Sequence, residues 1–173
     1  MSKLALSVAA LALLAVPVHA QDAAATATLV DQSGNTLGTL SLVEMDGGVH
    51  ISGELTGVPN GEHGFHIHET GVCDPATGFE SAGAHFEPGT HLHGMENPEG
   101  PHAGDLLNVT ADDDGNVAVD LHNASVSLGD GDSSLFDADG SAIVLHDDPD
   151  DYRTDPSGNS GDRYACGVVE AGS

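Results

Sequence analysis

His66-Ile67-His68 is the first stretch of this sequence whose spacing suggests chemistry. Residues i and i+2 of a β-strand face the same side, so on a strand the two imidazoles project together toward one point. His146 ends the apolar run 143–145 and can meet them from the end of a neighbouring strand. Between them in the chain lie His85, His93 and His102, with Asp105 three residues beyond His102. Six histidines and one aspartate make a donor set of imidazole nitrogens and one carboxylate, with no thiolate. Such a set suits zinc and copper and speaks against calcium or an iron–sulfur cluster. The whole chain holds 11 histidines in 173 residues, a richness that itself points to metal.

The elements that must position these side chains read as short strands. Apolar and polar residues alternate over 49–55 and again over 117–121, and strands are also expected over 26–30, 39–43 and 143–145. Turn pairs separate them: Ser33-Gly34, Asp46-Gly47, Asp114-Gly115 and Asp139-Gly140. No sustained helical period and no linker interrupts the pattern, which suits one antiparallel all-β sandwich or barrel. Two long segments, about 69–103 and 147–163, break the rhythm and carry Gly, Pro, Asp and Asn. Loops of that length in a compact domain are usually functional, and the first holds His85, His93 and His102. Asp112-Asp113-Asp114-Gly115 and Asp137-Ala138-Asp139-Gly140 resemble calcium loops only in part. The ligand pattern would need carboxylates where Thr110 and Leu121, or Leu135 and His146, stand, so both read as hairpin turns.

Charge and ends bound the function. Asp and Glu number 28 against 3 Lys and Arg, for a formal charge of −25. Nucleic acid and anionic membrane surfaces both require clustered cations, so neither is a partner. Acidity with few aromatics can mean disorder, but 39% hydrophobic residues in alternating runs argue for a folded domain. Residues 1–20 read as a secretory signal peptide: Lys3 near the start, an apolar run over 4–16 short of a bilayer span, and Val18-His19-Ala20 ahead of a cut before Gln21. A single membrane anchor is the competing reading, and no stop-transfer pattern follows to support it. The domain is then 21–173, exported to a bacterial periplasm or the extracellular space. In an oxidising compartment Cys73 and Cys166, 93 positions apart, are expected to pair. Two free thiols or a metal ligand are the alternatives.

Taken together, GFHIH (64–68), AHFEP (84–88), HG (93–94), HAGD (102–105), LLNVTADDDG (106–115), VLHD (144–147) and GDRYACGV (161–168) give the chain a resemblance to the copper/zinc superoxide dismutase family. They come in the family's order and nearly its spacing, most clearly over 60–170. The resemblance implies an eight-stranded antiparallel Greek-key β-barrel with two long functional loops. It implies that copper is held by His66, His68, His85 and His146. Zinc would be held by His85, His93, His102 and Asp105, with His85 bridging the two. It further implies a Cys73–Cys166 disulfide, Arg163 beside the copper as attractor of the superoxide anion, and Asp150 linking a copper histidine to a zinc histidine. His85 and Arg163 would be the catalytic pair.

Some positions stay open at this level. His91 competes with His93 for zinc, although the spacing from His85 and the following Gly94 favour His93. His63 matches a histidine with a hydrogen-bonding role, and His50 and His122 sit in strand patterns, facing outward. No lysine follows Lys3, so the family's steering lysine has no counterpart unless Arg153 replaces it. Arg163 could instead serve only a surface ion pair. The family is often dimeric, so a homodimer is the protein partner to consider, its face unassigned. A non-catalytic copper carrier on the same barrel is the alternative function; it predicts a lost ligand, bridge or Arg163. A zinc hydrolase would need three ligands, a water and a carboxylate base, for which six histidines are too many.

Overall fold

Alternation of apolar and polar residues dictates a sheet with one face inside. The computed structural model describes residues 25–45 and 47–172, so the expected signal peptide and Asp46 of one turn pair lie outside the described residues. Among the described residues nine strands form: β1 (Ala25–Asp31), β2 (Thr36–Met45), β3 (Gly48–Leu55), β4 (Gly61–His63), β5 (Phe65–His68), β6 (Val109–Ala111), β7 (Val117–Asn123), β8 (Ala142–His146) and β9 (Arg163–Ala171). All pairings between these strands are antiparallel, in the order β4-β6-β7-β3-β2-β1-β9-β8-β5. Only two single-turn 3₁₀ helices, Pro75–Thr77 and Glu80–Ala82, depart from this among the described residues.

β4 and β5 stand at opposite ends of that order, yet Gly64 alone separates them in the chain. Read as one strand over 61–68, they pair with β6 at one end and β8 at the other, which nearly closes the sheet into a barrel. Counted that way the barrel has the expected eight strands. The order β3-β7-β6-β4 is the Greek-key pattern, three neighbours in sequence and a fourth strand returning beside the first. The Asp112 turn joins β6 to β7 as a hairpin, Gly115 N donating to Asp112 O at 3.0 Å. The Asp137 turn is no hairpin: it lies within the long β7–β8 connection and only precedes β8.

Every second residue fills the interior. Ala27 and Leu29, Leu40 and Leu42, Val49 and Ile51, Val117 and Val119 all join one buried cluster with Phe65, Ile67 and Leu145. With Phe65 and Ile67 inward, His66 and His68 necessarily face the outside of the barrel. The loop over 69–108 covers them there. Its segments bond the remaining edge of β5: Ile67 N donates to Gly104 O, and Phe86 N to Ile67 O, each at 2.8 Å. A second small core of Phe79, Ala82, Ala142, Val144 and Cys166 sits beneath the same loop. β8 is therefore buried on both faces. The Cys73–Cys166 disulfide pins the loop to β9. In the chain-entropy picture, closing so long a loop contributes about 4–5 kcal/mol at most.

Candidate metal centre

The site grows from the outer face of β5 and β8. His66 and His68 rise from β5, and His146 ends β8 just after a bulge between Leu145 and His146. A bulge re-aims the residue that follows it, and here it sets His146 beside Arg163 in the ladder. The covering loop adds His85. One ligand atom from each of His66, His68, His85 and His146 lies within 4.8 Å of the others, and all four residues are buried. Nδ1 of His66 and Nε2 of His68, His85 and His146 have no hydrogen-bond partner. Buried polar atoms are rarely left so, and four lone pairs converging on one point are what a nitrogen-bound cation requires.

The opposite ring nitrogens explain why those four stay free. His66 Nε2 donates to Asp150 Oδ2 at 2.8 Å, and His68 Nδ1 to Gly83 O at 3.0 Å. His146 Nδ1 faces the hydroxyl of the buried Ser160 at 3.1 Å. Each contact fixes tautomer and ring orientation, as outer partners of metal-bound histidines do. Burial holds the imidazoles neutral. It pushes His66 down and His68 well below its ordinary range, with neighbouring His85 and Arg163 adding to the effect at His68. His85 falls to about 4 and His146 to about 2, again chiefly by burial.

A second set adjoins the first. Around Asp105 Oδ1 gather Nδ1 of His85 at 2.7 Å, of His93 at 3.1 Å and of His102 at 3.4 Å. His66 also comes within reach of this group, but its Nε2 is committed to Asp150 and its Nδ1 belongs to the first set. His85 thus offers one ring nitrogen to each cluster. Burial opposes charge on His93, yet its hydrogen bonds to Asp105 and Asp150 outweigh that and raise its pKa to about 9. The same contacts, against burial, hold both carboxyls well below the usual carboxylate range. A dication at Nδ1 would replace that proton. Three imidazoles and one carboxylate, with orphaned nitrogens beside them, fit copper and zinc by geometry and donor type.

Asp150 ties the clusters together. Oδ2 takes His66, and Oδ1 accepts from His93 Nε2 at 3.0 Å. Asn108 holds it in place, accepting from Asp150 N and donating to Asp150 O. Gly158, at φ 66°, lies so close that a β-carbon there would overlap Asp150 Oδ1. Gly83, Ser160, Asn108 and Gly158 are site residues that sequence reasoning missed. Backbone carbonyls and loop neighbours leave no signature in residue type.

Arg163 lines a pocket of about 390 Å³ whose floor is His68, His85 and His146. Its guanidinium donates to Phe79 O and Gly83 O, each at 2.7 Å, and Glu80 Oε2 lies 3.4 Å from Nη2. The Cys73–Cys166 bond anchors the loop that supplies those carbonyls, so it positions Arg163 as well. Arg153 lies elsewhere, paired with Glu96 and outside the pocket. The structure places His91 on the surface against Glu87 at 3.0 Å, away from both clusters. His63 bridges two carbonyls, Pro59 O and His146 O, each at 2.8 Å.

A nearly closed antiparallel barrel bearing two adjoining ligand clusters on its outer face, with one histidine common to both, defines a binuclear metalloprotein. Residues 36–169 match the sequence pattern of copper/zinc superoxide dismutase. The chain is 47% identical over 171 residues to superoxide dismutase (Cu-Zn) 2 of Aquifex aeolicus, covering 98% of this chain and 99% of that protein. It is 42% identical over 149 residues to superoxide dismutase (Cu-Zn) of Caulobacter vibrioides, covering 84% and 85%. The crystal structure of a SOD-like protein from Bacillus subtilis superposes with a TM-score of 0.79 at 41% identity, over 83% of this chain and 96% of that one. The chain belongs to the copper/zinc superoxide dismutase family. Copper and zinc are accordingly its cofactors.

Proposed function

We propose that the chain is an exported superoxide dismutase, converting two superoxide anions and two protons to dioxygen and hydrogen peroxide. One observation carries the reading: four buried, unpartnered imidazole nitrogens converge, and three of their residues, His68, His85 and His146, line a pocket that Arg163 also lines. His66 Nδ1 and Nε2 of His68, His85 and His146 would hold copper; Nδ1 of His85, His93 and His102 with Asp105 Oδ1 would hold zinc. Copper bound there supplies reversible one-electron chemistry, and zinc supplies fixed positive charge.

The chain's own groups do the rest. Two loop carbonyls immobilise Arg163, so its charge is presented to the pocket without reorganisation. A small anion entering from solvent is drawn to that guanidinium and oriented above His85. The His85 ring is anchored through Nδ1 at Asp105. His85 Nε2 therefore faces the pocket, and when that nitrogen is free of the metal it can hold a proton and pass it to the reduced oxygen product. The second proton comes from solvent, to which the pocket is open. Asp150 keeps the His66 and His93 rings in register across the two clusters. Export, to a periplasm or beyond the cell, is supported by the leader-like residues 1–20 and by the single disulfide.

The test is superoxide consumption by the copper- and zinc-loaded protein beside Arg163→Ala over a salt series. Copper-dependent turnover should fall at least tenfold in the variant and lose most of its salt sensitivity. Full metal occupancy without turnover would overturn the reading and leave a copper carrier as the better account.

A further inference from the structure

Two openings lead from solvent toward the clusters, and they share no lining residue. The first is the pocket of Arg163, which reaches His68, His85 and His146 but neither His93, His102 nor Asp105. The second is a groove of about 280 Å³ between the loop segment 101–107 and the end of β7. His102 and Asp105 line it; His66, His68, His85 and His146 do not. Its walls also carry Asp120 and His122, two groups that the dismutation chemistry does not use. His102 is the ligand that the groove uncovers: its side chain is 13% exposed, against 3% or less for His85, His93 and Asp105.

The mouth of the groove is chemically distinctive. His122 stands directly opposite His50 across the β3–β7 ladder. Both therefore rise from the outer face with their β-carbons about 5 Å apart. Asp120, two residues before His122 on that face, accepts from His50 Nε2 at 2.7 Å. An imidazole and a carboxylate on the groove wall attract a divalent cation weakly and exchange it fast, which suits capture rather than retention. The chain's net charge of −25 enriches cations near any such surface.

We propose that this groove is the entry path of the divalent cation destined for the His85–His93–His102–Asp105 site. His122 and Asp120 attract the ion at the mouth, and His102 receives it. The inference rests on reading that site as the zinc site. Zinc then enters by its own door, without passing the copper ligands or Arg163.

The test follows Co²⁺ uptake by the metal-free protein in stopped flow, using the visible bands of the tetrahedrally bound ion. Two variants are compared with the parent: His122→Ala with Asp120→Asn, which removes the capture groups, and Ala124→Trp, which narrows the groove without changing charge. Uptake should slow about tenfold in each. Removal of bound Co²⁺ by EDTA should slow by the same factor, because entry and exit share one path. Final stoichiometry and the rate of Cu²⁺ uptake should not change. Parent-like Co²⁺ rates in both variants would overturn the entry path, as would an equal slowing of Cu²⁺. A parent protein that takes up no Co²⁺ would instead sink the zinc-site reading beneath it.

Discussion

Glu80 opposes the charge that the pocket depends on. Its carboxylate lies 3.4 Å from Arg163, and its side chain is 74% exposed. An anion resting against the guanidinium would sit about 5 Å from that carboxylate. Two unit charges 5 Å apart in a water-like medium repel by about 0.8 kcal/mol, roughly a fourfold effect on capture. Screening over about 8 Å at physiological ionic strength leaves roughly half of that, or about twofold. Near 1 M salt, where the screening length is about 3 Å, almost nothing remains. Glu80→Gln keeps the shape and removes the charge, and Arg163 keeps its bonds to Phe79 O and Gly83 O. Measured by superoxide decay after pulse radiolysis, kcat/KM should therefore rise about fourfold at low salt and about twofold at physiological salt. The variant and parent curves should meet near 1 M. A fall in rate would mean that Glu80 holds Arg163 in place, and a salt-independent rise would mean that the effect is not electrostatic.

Three further outcomes are expected. Asp150→Asn leaves an amide NH₂ facing one of two imidazole N–H groups, so metal affinity by chelator competition should drop about 10–100-fold; unchanged affinity would show that Asp150 does not orient the ligands. Cys73→Ser with Cys166→Ser should cost up to about 4 kcal/mol in denaturant unfolding and should also slow turnover, because the loop carbonyls that hold Arg163 lose their anchor. A variant that loses stability but keeps full turnover would separate the disulfide from the pocket. The metal-free protein should be most stable near pH 6.5. His85 and His146 have depressed folded values, so their contribution is present above about 6.5 and is lost as pH falls toward 4. His93 is raised, so its contribution is present below 6.5 and is lost as pH rises through about 9. Urea titrations across pH 4–9 check this, and a stability that rises steadily to pH 9 would refute it.

Sequence alone pointed to the half-buried strands and to the histidines that gather into two clusters, for different reasons. The segments 26–30, 39–43, 49–55 and 117–121 alternate because one face meets the core, and each falls within β1, β2, β3 or β7. β9 escaped the pattern because Ala165, Cys166 and Gly167 are consecutively buried, facing the barrel core on one side and the disulfide-bonded loop on the other. β4 and β6 have three residues each, too few to display a period. The histidines were legible because spacing and residue type carry their chemistry. The supports of Arg163 and His68 were not, because Phe79 and Gly83 act through backbone oxygens, which every residue has.

The strand over 65–68 does two jobs on alternate residues, and this sets how the lineage can change length. Inserting or deleting one residue just before Phe65 would turn His66 and His68 into the barrel and put Phe65 and Ile67 under the loop. Core and site would fail in a single event, so this strand tolerates no length polymorphism. The connections over 69–108 and 124–141 carry no such parity. They can grow or shrink between relatives as long as the few anchoring contacts survive.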